Sequence, residues 1–71
     1  MSLAETIRIL RVKRGNLSER ELATKMGDTP QNLNNKMKRD DFRISELEKI
    51  AKALDLELVV KFVDKETKEE I

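Results

Sequence analysis

Residues 18–39, SERELATKMGDTPQNLNNKMKR, decide the fold, because they spell two short helices joined by a turn of about three residues. Ser18 and Glu21 form a capping box, in which the hydroxyl accepts from one orphan backbone N–H while the carboxylate reaches back to another. Leu22, Ala23 and Met26 then share one side of a helix whose other sides carry Glu19, Arg20, Thr24 and Lys25. Gly27 stops it, since a helix closing in the left-handed conformation favours a residue with no Cβ. Thr29 as N-cap and Pro30 as first helical residue open the next one. Ala23 is small enough for two helices that cross so soon after a turn to approach closely.

In the second helix, steps of about 100° per residue put Leu33 and Met37 together on the inner face and turn Gln31, Asn35 and Lys38 outward. Asn32 and Asn34 flank that outer face, beside Lys36, Lys38 and Arg39. Asparagine is a poor helix former, so helix propensity does not account for three of them here. Asn and Gln amides both donate and accept, as adenine N6 and N7 require in the major groove. The plainer reading of such a face is solvated surface; the clustering on a helix placed after a turn favours nucleic-acid contact.

A chain of 71 residues is one small domain with a core near the lower limit for independent folding. Without cysteine or histidine it excludes disulfides, zinc-finger patterns and nucleophilic sites built on those residues. No apolar run nears the roughly 20 residues that span a membrane, and no signal-peptide pattern opens the chain, so a soluble, cytoplasmic protein is expected. Net charge is only +1, but residues 1–43 hold ten Lys or Arg against six acids, and residues 44–71 five against eight. The basic half contains the two-helix unit, as expected if it faces phosphates.

Upstream, Ser2 and Glu5 start a helix over Leu3–Lys13 with Leu3, Ile7 and Leu10 as its inner stripe; Ile9 and Val12 fall off that stripe and need some other cover. Gly15 and Asn16 end it, and Leu17 leads into the Ser18 cap, placed to staple onto Leu22. Downstream, residues 38–43 read as a charged loop anchored in the core by Phe42. Ser45 and Glu48 make a third capping box for a core helix over about residues 46–54, carrying Leu47, Ile50, Ala51 and Leu54.

The period then changes. Leu56, Leu58, Val60 and Phe62 alternate with Glu57, Val59, Lys61 and Val63, a pattern for a strand. No second strand-like run follows, so its N–H and C=O groups lack a partner. The simplest partner is the same strand of a second copy, antiparallel across a two-fold axis. A homodimer with Leu58, Val59, Val60, Lys61, Phe62 and Val63 at its interface is expected, with residues 64–71 as a fraying charged tail. The chain thus divides into a DNA-binding domain, 1–55, and a dimerisation element, 56–71.

The runs LSERELATKMGDTPQNLNNKM and ISELEKIAKALDLEL resemble the Cro and phage-repressor-like (Xre) helix-turn-helix proteins over roughly residues 3–56. The resemblance rests on Leu22-Ala23, Gly27, Leu33 and the Leu47/Ile50/Ala51/Leu54 helix. It implies a mainly α, compact four- to five-helix phage-repressor-like domain, here with one added C-terminal strand. It also implies a dimeric transcriptional regulator that reads a near-palindromic operator in double-stranded DNA. Carried over, it makes Gln31, Asn32 and Asn35 base contacts and Asn34, Lys36 and Lys38 base or backbone contacts, with Ser18, Arg20, Arg39 and Arg43 on phosphates. Three residues depart from the family pattern. Glu19 stands where a glutamine is common, so Arg20 has to offset its repulsion of phosphate. Met37 stands where a glutamate would pair with Arg11, so that ion pair should be missing. Lys36 takes a late apolar position, leaving its packing to Met37.

The rival reading is a protein-interaction module, such as an antitoxin or adaptor subunit, whose strand edge adds to a partner's sheet. An enzyme has little support: the sequence has no Gly-rich phosphate loop, no metal-ligand cluster and no nucleophile with a base, and no cofactor is expected.

Overall fold

Among residues 2–71, which the computed structural model describes, the chain forms α1 (Leu3–Lys13), α2 (Glu19–Met26), α3 (Pro30–Arg39) and α4 (Ile44–Ala53). The local chemistry of residues 18–39 is as the sequence implies. Ser18 Oγ accepts from the Glu21 N–H while Glu21 accepts from the Ser18 N–H, both at 3.1 Å. Gly27 lies in the left-handed region at φ 77. Its N–H donates to the Thr24 carbonyl and the Asp28 N–H to that of Ala23, which closes α2 in a Schellman turn. Thr29 caps α3 through the Asn32 N–H, with Pro30 in the first turn.

Leu22, Ala23 and Leu33 are fully buried and form the centre of a core with Ala4, Ile7, Met37, Ile50 and Leu54. α2 packs against both α3 and α4. Phe42 is half-buried against this core, as its place in a charged loop suggests. No helix of the described residues is long and apolar enough to cross a membrane.

Four expectations need correction. The inner stripe of α1 is turned: Ala4 and Ile7 are buried, Leu10 is half-buried and Leu3 is exposed. At this end of the helix Asp40 Oδ1, 36 residues away, accepts the Ala4 N–H and ties the start of α1 to the end of α3. α4 begins at Ile44, ahead of the expected Ser45 cap, because Glu46 reaches back to the Arg43 N–H at 3.4 Å and closes the first turn earlier. The tail also turns back: Asp64 Oδ1 accepts the N–H groups of Glu66 and Thr67, and Ile71 N–H donates to the Phe62 carbonyl. A side chain that satisfies two turn amides is what orders a segment with little to bury.

The expected strand over 56–63 does not form within the chain. The described residues contain only one antiparallel bridge, Val63 with Glu70. The returning segment reaches no further than Phe62, so residues 57–61 have no ladder partner. Leu56 packs on the core, whereas Val59, Val60 and Phe62 are 68%, 59% and 80% exposed. This arm lengthens the molecule to 42 × 23 × 20 Å, with a radius of gyration of 13.5 Å, against about 11 Å for a compact chain of this length. Ile9 and Val12 on α1 are also left uncovered.

Candidate nucleic-acid interface

α3 has two sharply different sides. Leu33 and Met37 are buried, and Gln31, Asn35 and Lys38 stand exposed on the opposite face with no side-chain hydrogen bond among the described residues. That outward set is the one the sequence assigns.

The flanking amides are engaged with their own chain. Asn32 is exposed, yet its Nδ2 donates to Asp28 Oδ1 at 3.0 Å. Asn34 is half-buried, and its Nδ2 lies 3.5 Å from Glu19 Oε1, a long contact. Glu19, at the start of α2, therefore has an amide donor beside it. Asn32, Asn35, Lys36, Arg39, Asp41, Arg43 and Glu46 line one open groove between α3 and the start of α4.

Lys36 is the residue whose surroundings differ most from the sequence reading. Its ammonium sits 2.6 Å from Glu46 Oε2 and 3.3 Å from Asp28 Oδ2, tying the middle of α3 to α4 and to the turn. The approach to Glu46 is a close ion pair rather than an aligned hydrogen bond. The Glu46 carboxylate, and then Asp28, raise the Lys36 pKa above the ordinary lysine value against the opposing effect of burial. Reciprocally, Lys36 lowers that of Glu46, while the Asn32 amide and the Thr29 N–H, ahead of Lys36, lower that of Asp28. Two carboxylates thus offset the one charge that a phosphate would need from Lys36.

Ser18, Arg20, Lys38, Arg39 and Arg43 are exposed, and the four cations form no ion pair among the described residues. The Ser18 oxygen is occupied as a cap acceptor, which leaves its O–H free to donate. Arg11 donates to the Leu17 carbonyl at 2.9 Å, and so ties α1 to the loop before α2. Met37 fills the core position beside Lys36.

Asp28, Asp40 and Glu46 shape this face and were not singled out in the sequence. Asp28 could have been found, as it stands four residues before Asn32 and beside the Thr29 cap. Glu46 and Asp40 act through contacts between helices, which residue spacing does not encode.

Comparison with protein-family models, curated proteins and solved structures finds no match, so the functional reading rests on this geometry.

Proposed function

We propose that this chain binds double-stranded DNA sequence-specifically, as a small dimeric transcriptional regulator that lays α3 in the major groove. The observation that carries the proposal is the free amide face: Gln31 and Asn35 are exposed while the opposite side of α3 holds Leu33 and Met37 in the core. A helix anchored from behind and offering donors and acceptors in front suits base reading. Arg20, Lys38, Arg39 and Arg43 supply positive charge for phosphates, and with it salt-dependent affinity.

Dimerisation through the arm accounts for its apolar exposure and for the unpaired backbone over residues 57–61. Antiparallel pairing of Leu58, Val59, Val60, Lys61, Phe62 and Val63 with a second copy turns two incomplete segments into one ladder. The two recognition helices of the dimer then lie about 34 Å apart, one turn of B-DNA.

Selection of binding sites from random duplexes at fixed salt tests the proposal. Recovery of a near-palindromic site supports it; no affinity for any duplex at low salt overturns it. The same exposed arm favours a second reading, in which it adds to the sheet of a different protein as an antitoxin or adaptor subunit does. A 1:1 complex with such a partner, without DNA affinity, would establish that reading instead.

A further inference from the structure

The Asn32 amide is not free to choose its orientation. Asp28 Oδ1 accepts both the Asn32 Nδ2 at 3.0 Å and the Thr29 backbone N–H at 2.8 Å, while Asp28 Oδ2 holds Lys36 Nζ at 3.3 Å. An ionised carboxylate only accepts hydrogen bonds, so the amide nitrogen, not the amide oxygen, has to face it. An aspartate is ionised at neutral pH, and the Asn32 hydrogen bond is the main cause that lowers the Asp28 pKa further below its ordinary value. Asn32 lies in the first turn of α3, and the N-terminal residues of a recognition helix are those that meet base edges.

We infer that Asp28 is a positioning residue for base selection: from the turn it sets the Asn32 amide with its oxygen outward, so that this position of α3 offers an acceptor. An outward acceptor matches the exocyclic amine of adenine or cytosine, whereas guanine's O6 and N7, both acceptors, could be met only by the one amide N–H that Asp28 leaves unused. This rests on the proposed DNA binding and adds to it the residue that orients one reading side chain. Lys36, on the second oxygen, fixes the carboxylate in turn, so the orientation is held from α4 through Glu46.

The experiment uses the full chain and the duplex site recovered by selection, with each single base-pair change in it, at one salt concentration. Asn32→Ala should lower discrimination at one base pair by about tenfold. Asp28→Ala should lower it by a similar factor at that same base pair, and should raise affinity for all duplexes by removing a negative charge. Asp28→Asn removes the same charge but keeps an acceptor for Asn32 and Thr29, so it should retain most of the discrimination. The inference is overturned if Asp28→Ala discriminates like the wild type, if Asp28→Asn loses as much as Asp28→Ala, or if Asn32→Ala changes no base preference. A loss spread evenly over all positions in Asp28→Ala also overturns it, by making Asp28 a fold residue. A wild-type chain that recovers no site and binds no duplex is a different result, and it removes the DNA-binding proposal itself.

Discussion

Asp40 Oδ1 accepts the backbone N–H of Ala4 at 2.7 Å, joining the last residue of one helix end to the first turn of another. Asp40 sits in the left-handed region at φ 52, where it closes α3 as glycine closes α2. Glycine would take that conformation with less strain but has no side chain to cap α1. Asp40→Ala should therefore cost about 2 kcal/mol, combining left-handed strain with a lost hydrogen bond. Asp40→Gly should cost less, because the strain is relieved, and Asp40→Asn least, because it keeps an acceptor and tolerates the conformation. Urea unfolding of the three variants checks the order.

Gly27 presents a simpler case. A Cβ built there meets nothing within 4 Å, so replacement is opposed by backbone conformation alone. Gly27→Ala should lose about 1 kcal/mol and Gly27→Asn clearly less, as asparagine enters the left-handed region more readily. Thermal melts followed by circular dichroism measure both, and a much larger loss for alanine would mean that the turn is closer packed than it looks.

The Lys36 node sets a pH dependence of stability. Asp28 and Glu46 are held below the usual carboxylate values of about 4, so their contribution is complete above that range and is lost as pH falls through the lowered folded values. Lys36 is raised above the usual value of about 10.4, so its contribution is complete below it and is lost as pH rises through the raised one. Stability should be flat from about pH 5 to 10 and fall outside that window. Lys36→Met should cost about 1 kcal/mol at neutral pH and make the acid limb shallower, since Glu46 loses the main cause of its shift.

For Gln31, exposed at the front of α3, the expected effect is on base choice. Gln31→Ala should weaken binding to the selected site by about 1–3 kcal/mol and relax preference at one base pair. Equal weakening on every duplex would make it a backbone contact. In the same titrations Lys38→Met should reduce the salt slope by about one, whereas Lys36→Met should leave it nearly unchanged, because Lys36 is neutralised by Asp28 and Glu46.

Truncation after Leu56 should leave a folded monomer. Leu56 still packs on the core, and the residues removed include the exposed Val59, Val60 and Phe62. Light scattering that finds the truncated chain still dimeric would place the interface elsewhere, with the uncovered Ile9 and Val12 of α1 the next surface to alter.

Most of the structure legible in the sequence has a local cause. The Ser18–Glu21 box, Gly27 and the Thr29-Pro30 start each act within one turn of chain, and Leu33 and Met37 follow from helical period alone. Two helix starts differ from the expected ones, one through a distant contact and one through a local one. The start of α1 is tied to Asp40, 36 residues away, and α4 starts at Ile44 through the local contact of Glu46 with the Arg43 N–H, beside which the Ser45–Glu48 pair is a competing cap in the sequence.

From sequence alone came the helix-turn-helix unit, its buried and outward residues and the alternating arm, because periodicity and capping involve residues a few positions apart. Tertiary structure alone decided which polar groups meet across helices. Lys36 and Glu46, ten positions apart, meet because α3 and α4 come together beside the turn, and Asp40 finds Ala4 across half the chain. Opposite charges and hydrogen-bond partners act over a few ångströms, and only the packed core brings such distant positions that close.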